Sequence, residues 1–206
     1  MIKAVLFDYG GVLSEGGRRG SAKQAIADHF GLNPEDLAID EVMVKYGRGF
    51  ISTEEFFKEI NRAHKSKNQI NEESFLETEI QKAIEEKSEQ VYDFAQNLRG
   101  QGIKTGIVSN VQKIVADKLR QLGNYKDFAP VVLSYEIKTA KPDLDFYEFT
   151  IKSTNMKSEE IIFVDDKEEC LAPARKLGMK TVLAVSPQQI VQDIKKIIYK
   201  ENNLKL

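Results

Sequence analysis

The feature that most constrains this chain is the run Ala4-Val5-Leu6-Phe7, which meets Asp8-Tyr9-Gly10-Gly11 with no polar residue in between. An unbroken apolar stretch of strand length, without alternation, predicts a strand buried on both faces, as in the middle of a parallel α/β sheet. Such sheets bind ligands at the carboxyl edge of their strands, and Asp8 stands at that edge. The paired glycines Gly10 and Gly11 let the backbone come close to whatever binds there.

A second run, Glu160-Ile161-Ile162-Phe163-Val164, ends in the same way on Asp165-Asp166. Taken singly, an aspartate after a strand serves as a turn or capping residue. Two strands that both end in carboxylate suggest more. Three aspartates set against one another repel unless a hard cation neutralises them, and Mg²⁺ takes oxygen ligands while keeping several waters. Between these runs lie Ile103-Lys104-Thr105-Gly106-Ile107-Val108-Ser109-Asn110, a strand pattern ending on a hydroxyl and an amide, and Lys141-Pro142-Asp143, which follows strand-like Val131-Val132-Leu133-Ser134. A hydroxyl donates a hydrogen bond to a phosphoryl oxygen, and a lysine supplies a point charge that offsets anionic groups. Ser109 as a helix cap and Lys141 as a solvated surface residue are the plain readings of each alone.

The order Asp8, Ser109, Lys141, Asp165-Asp166 resembles the four sequence motifs of the haloacid dehalogenase-like hydrolase superfamily. The motifs read here FDYGGVL, VSN, AKPD with Phe146-Tyr147 four residues after the proline, and FVDD followed by ARKLGM. The resemblance spans nearly the whole chain and points to the subgroup with a small helical cap after the first motif. It implies a Rossmann-like core, Mg²⁺, and a phosphatase that works through an aspartyl phosphate. On that resemblance Asp8 is the nucleophile, while Ser109 and Lys141 hold the phosphoryl group. The cation falls to Asp8, the Gly10 carbonyl and an acid of the fourth motif, Asp166 first and Asp165 second. Asn110 and Gly11 are candidates for substrate contact or for orienting the loop. One departure stands out: most phosphatases of this superfamily have a second aspartate two residues after the nucleophile, as general acid and base, and this chain has Gly10. Tyr9 points the wrong way to replace it if strand alternation holds, and Glu15 belongs to a linker.

Composition fits this reading. With 206 residues, 41% hydrophobic and 30% charged, the chain can bury a full α/β core with a modest insertion. A net charge of −2, with lysines and acids interspersed, gives no basic field for nucleic acid. The expected partner is a small phosphate ester, with neither nucleic acid nor membrane, for a monomer or homodimer. The single cysteine, Cys170, rules out an intrachain disulfide, and no leader pattern is visible, so cytoplasmic residence is the expectation. The apolar runs are of strand length, short of the roughly 20 residues that cross a bilayer.

Residues 1–14 and 89–206 are expected to form the core, and 15–88 a four-helix cap. Within the cap, a linker over Ser14 to Gly20 precedes a helix from Ser21 to Phe30, ended by Gly31. Asn33-Pro34-Glu35 opens the second, Ser52-Thr53-Glu54-Glu55 the third with Phe56, Phe57 and Ile60 inward, and Asn71-Glu72-Glu73-Ser74 the fourth with Phe75, Leu76 and Ile80 inward. Between the second and third, Tyr46-Gly47-Arg48-Gly49 offers Arg48 as a cap contact to an anionic or hydroxylated substrate. In the core, strands over 103–108, 131–133, 160–164 and 180–185 alternate with helices over 112–122, 143–154, 168–177 and 187–200. That alternation predicts a doubly wound parallel sheet. A phosphatase of a small metabolite is the leading function, and a catalytically weak or silent binding or regulatory member the alternative that Gly10 allows. Dehalogenation needs no metal, yet the acidic pair that would hold one is present, and phosphomutase action needs the missing acid, so both are disfavoured.

Overall fold

The computed structural model describes residues 1–15, 22–64, 69–76 and 87–204. Five parallel strands form one sheet: β1 (Ala4–Phe7), β2 (Lys104–Ser109), β3 (Val131–Leu133), β4 (Ile161–Asp165) and β5 (Lys180–Leu183). Their order is β3-β2-β1-β4-β5. The first strand is therefore central, with Ala4 opposite both Lys104 and Ile161. All four residues of β1 are buried, which is why the run carries no alternation.

The sheet is covered on both faces, as two separate side-chain clusters show. Val5, Phe7, Ile107, Ile162 and Val164 point into one, where they meet Val91 and Leu98 of α4 (Glu89–Gly100), Leu119 of α5 (Lys113–Gln121) and Ile190, Ile194 and Ile198 of α9 (Pro187–Asn202). Leu6, Val108, Val132 and Phe163 point the other way, onto Phe146 and Tyr147 of α7 (Leu144–Thr154) and Leu171 and Ala174 of α8 (Glu168–Lys176). Successive strand residues thus serve opposite layers, the arrangement of a doubly wound α/β fold.

Between β1 and α4 the described part of the insertion holds α1 (Ala22–Phe30), α2 (Asp40–Gly47) and α3 (Thr53–His64), then helical residues over 72–76. The expected caps at the third and fourth helices are present. Ser52 Oγ accepts from the Glu55 amide at 3.2 Å while Glu55 Oε2 accepts from the Ser52 amide at 2.8 Å, and Asn71 Oδ1 accepts from the Ser74 amide at 2.9 Å. Ser21, Ile80 and the linker residues 16–20 lie outside the described residues. The second helix departs from expectation. Pro34–Asp36 is only a 3₁₀ turn, and α2 starts at Asp40. The chain between is not helical: Leu37 is extended, and Leu37 and Ile39 are both buried while Ala38 is exposed, a period of two that no helix satisfies.

In the core, β4 runs one residue further than expected and takes Asp165 into the sheet, and β5 ends at Leu183 rather than 185. A short helix that the pattern did not reveal, α6 (Ser134–Ile137), follows β3 directly. Among the described residues no helix is long and apolar enough to cross a membrane.

Candidate active site

The strand order brings three predicted residues to one edge, since β2 and β4 flank β1 and all three point the same way. Asp8 is the first residue beyond β1, its amide donating to the Val164 carbonyl at 2.8 Å. Ser109 ends β2 and Asp165 ends β4. Lys141 arrives from the loop between α6 and α7. They line a cleft of about 300 Å³ together with Gly10, Asn110, Gln112 and Asp166.

Lys141 is the centre of the charge network. Its side chain is only 2% exposed, with Nζ 2.6 Å from Asp165 Oδ2 and 3.0 Å from Asp8 Oδ1. A third bond runs from Nζ to the Val108 carbonyl at 3.0 Å. Burial works against its charge, but the two carboxylates overcome that and hold the ammonium pKa above the ordinary lysine range. The surface-lysine reading is therefore excluded. Asn110 grips the same loop: Nδ2 donates to the Lys141 carbonyl at 2.8 Å and Oδ1 accepts from the Lys141 amide at 2.9 Å. Both ends of the Asn110 amide are thus spent on holding Lys141, so Asn110 orients the loop.

The adjacent aspartates of the fourth motif differ sharply. Asp165 is fully buried; Oδ2 accepts from Lys141 and Oδ1 from the Lys167 amide at 2.9 Å. Asp166 turns into the cleft, where its Oδ1 is buried with no hydrogen-bond partner among the described residues. Burial raises the pKa of both; beside it, Asp8 adds to the rise at Asp165, against Lys141, and Asp165 adds to the rise at Asp166. One oxygen from each of Asp8, Asp165 and Asp166 lies within 4.8 Å of the others. Three carboxylates so placed, one with an orphaned buried oxygen, are the hard donor set that a divalent cation such as Mg²⁺ requires.

Gly11 owes its identity to this arrangement. Its φ of +80° favours glycine, and a Cβ there would meet Asp166 Oδ2 at 2.4 Å. The close approach is to a carboxylate of the protein itself. Tyr9 turns away as alternation predicts: it is buried, its hydroxyl accepting from Asn124 Nδ2 at 2.6 Å. Glu15 is exposed. Ser109 is buried at the strand end and caps no helix, since α5 starts from Gln112. Cys170 lines the cleft floor, and burial pushes its thiol up to about 12.

Arg48 has a partner within the chain. Its guanidinium pairs with Asp143 at 2.5 Å, so it ties α2 to the loop carrying Lys141 rather than standing free for a substrate. The whole 46–49 segment is docked on the core. Tyr46 is buried, its hydroxyl accepting from the Ile114 amide at 3.4 Å, and Ser134 Oγ donates to the Gly47 carbonyl at 2.7 Å. A Cβ on Gly49 would meet the Tyr135 carbonyl oxygen at 2.1 Å. Sequence reasoning missed Ser134 and Asp143; the only trace was their position beside the strand end and the lysine motif.

A doubly wound sheet with an acidic cleft and a buried lysine at its carboxyl edge places the chain in the Rossmann-like class of α/β folds. The family model for haloacid dehalogenase-like hydrolases matches residues 21–184, and the chain belongs to that family. A glyceraldehyde 3-phosphate phosphatase of Methanocaldococcus jannaschii is 34% identical over 87 residues, 41% of this chain and 38% of that protein. The sesquiterpene phosphatase astK of Aspergillus oryzae is 32% identical over 83 residues, 40% of this chain and 42% of its own. The matches therefore span well under half of those relatives. Among solved structures, a HAD-like hydrolase from Porphyromonas gingivalis superposes with a TM-score of 0.80 at 24% identity, covering 96% of this chain and 98% of that one. A HAD family enzyme from Bacteroides thetaiotaomicron, in complex with magnesium and inorganic phosphate, superposes with a TM-score of 0.71 at 22% identity, over 88% of this chain and 93% of that one. These likenesses bear out the fold.

Proposed function

We propose that this protein is a Mg²⁺-dependent phosphatase of a small phosphorylated metabolite, acting through an aspartyl phosphate on Asp8. The observation that carries the reading is the charge count at the sheet edge. Three carboxylates face a single ammonium, and a dication would restore balance. Asp8, the Gly10 carbonyl and Asp166 would hold the ion, because both Asp165 oxygens are already engaged by Lys141 and the Lys167 amide. Bound there, the cation would offset phosphoryl charge as the nucleophile approaches. Lys141 supports the same task from the other side, and Ser109 offers one donor to a phosphoryl oxygen. Asn110 fixes the backbone on which Lys141 is carried. Since phosphoryl transfer depends on positioning and charge neutralisation, these groups supply both for transfer to Asp8, while the departing oxygen takes its proton from water.

The assignment of 1–14 and 89–206 to the core and 15–88 to a cap draws support from the two ends of the insertion. Ser14 bridges to Lys87, and the Ser88 amide donates to the Leu13 carbonyl at 2.9 Å. The insertion leaves and re-enters the core at one point, as a hinged lid would.

Phosphate release from a panel of sugar, nucleotide and acyl phosphates, with Mg²⁺ and with chelator, tests the proposal. Metal-dependent release that disappears in Asp8→Asn is the expected result. Indifference to that substitution would overturn it. The alternative of a weak or silent member rests on Gly10. Among described residues lining the cleft, the only carboxylates are Asp8, Asp165 and Asp166, so no acid is evident to protonate a departing oxygen.

A further inference from the structure

Beside the catalytic cleft runs a second hollow of about 290 Å³, which shares Asn110, Val111, Gln112 and Lys141 with it. Its outer wall is α2, through Met43 and Val44, and its far side is Ala140. Because the two spaces share a wall, an alcohol esterified to a phosphoryl group at Asp8 has this groove as an exit. What the groove offers a ligand depends on which of its polar groups are free.

Most are not. Ser134 Oγ donates to the Gly47 carbonyl at 2.7 Å and accepts from the Val111 amide at 3.1 Å. The Asn110 amide gives one N–H and one lone pair to Lys141, and the Lys141 ammonium is held by Asp8, Asp165 and Val108. Arg48, the one other cation on the wall, is paired with Asp143. A hydroxylated leaving group would be stripped of water there and find few partners, which is costly for each hydroxyl. The side chains left to meet a ligand are the apolar Met43, Val44, Val111 and Ala140, with the Gln112 amide the one polar group among them, at the wall shared with the catalytic cleft. Val44 is 56% exposed on the described surface, so a chain laid over it would remove apolar area from water on both sides of the contact.

We infer that the groove is a leaving-group site for a hydrocarbon chain, and that the substrate is a phosphate monoester whose alcohol is an unsubstituted aliphatic chain rather than a polyol or sugar. This inference rests on the phosphatase reading above and names the substrate class for that site.

The test is a series of 4-alkylphenyl phosphates, from methyl through butyl to hexyl, in which leaving-group acidity is nearly constant and only chain length varies. Full burial of one methylene is worth about a fourfold gain in kcat/KM, so even partial burial predicts about a tenfold rise or more from methyl to butyl. Hexyl phosphate should likewise be preferred over a hexitol 6-phosphate of equal carbon count. Val44→Asp should collapse the butyl-to-methyl ratio toward one, and Val44→Leu should keep it. The ratio is internal to each variant, so partial loss of folded protein does not affect it. A flat or falling series on an enzyme that does hydrolyse the methyl member overturns the groove assignment and leaves the phosphatase reading standing. An unchanged ratio in Val44→Asp overturns it too. No hydrolysis of any member, with Mg²⁺ present, removes the phosphatase reading and this inference with it.

Discussion

The sheet edge and the 46–49 segment both hold a cation against carboxylate, but in opposite circumstances. At the edge, Lys141 is sealed between Asp8 and Asp165 with 2% of its side chain exposed. At the cap junction, Arg48 meets Asp143 with 29% and 40% of the two side chains exposed. Breaking a buried pair leaves an uncompensated charge in a dry site, whereas an exposed pair is screened and held at an entropic cost. The first network is therefore a fixed scaffold for chemistry. The second is a fastening that can open at little expense.

The comparison can be broken most severely at Asp8. Asp8→Asn keeps the side-chain shape while removing the proposed nucleophile, and turnover should fall by ~10⁴-fold or more with the cooperative melt retained. Residual activity above a few per cent, on protein shown folded by its melt, would mean that the edge is not the site of chemistry.

The two aspartates of the fourth motif sharpen it next. Asp165→Ala strips Lys141 of its closest partner, and the loss of a buried pair predicts about 3–5 kcal/mol of destabilisation. Asp166→Ala removes a carboxylate with one orphaned buried oxygen, whose ionisation burial and Asp165 oppose. Without Mg²⁺ that variant should melt no lower than the unmodified protein. With Mg²⁺ at a hundredfold excess over its Kd, the unmodified protein should gain about 2.7 kcal/mol and the Asp166 variant much less. Calorimetric melts with and without the metal separate the two roles.

Gly10 predicts a smaller and more selective effect. A general acid typically contributes about 10²- to 10⁴-fold, so its lack should appear as a steep dependence of rate on leaving-group acidity. A series of aryl phosphates with graded leaving-group pKa measures that slope. A flat profile would show that another group fills the role.

At the cap junction the effects are smallest and differ between neighbours. Gly49→Ala places a Cβ against the Tyr135 carbonyl at a φ of +68°, which predicts more than about 1 kcal/mol of destabilisation and a raised KM. Arg48→Ala should cost no more than about 1 kcal/mol. If Arg48→Ala proved the more damaging, the ion pair rather than the backbone contact would be what seats the cap.

This contrast also explains what the sequence could convey. Strands β1 and β4 announced themselves because each is an uninterrupted apolar run ending on acid, and parallel pairing then forces Asp8, Ser109 and Asp165 together. The preference for Asp166 over Asp165 could not be read from adjacent identical residues; it depends on β4 extending one position and on Lys141 choosing the buried oxygen. The pairing of Arg48 was hidden for a similar reason. Its partner Asp143 lies far along the chain, and the signal for an ion pair across such a gap is no different from that of two solvated charges. The turn at Pro34 misled because local capping signals were satisfied by a 3₁₀ turn, while the burial of Leu37 and Ile39 decided the backbone beyond it.

The central position of β1 carries a consequence for how the molecule is assembled. Its hydrogen-bonding neighbours begin at Lys104 and Ile161, and Asn202 closes over Ile2 through both backbone groups, accepting from its amide at 2.6 Å and donating to its carbonyl at 2.9 Å. The segment that emerges from the ribosome early must wait for the late ones before it can pair. Contacts this distant in sequence slow folding and leave an apolar strand uncovered meanwhile. The proposed nucleophile, Asp8, is thus without its neighbours until β4 has been made, so a chain interrupted before β4 cannot assemble the carboxylate cluster at the sheet edge.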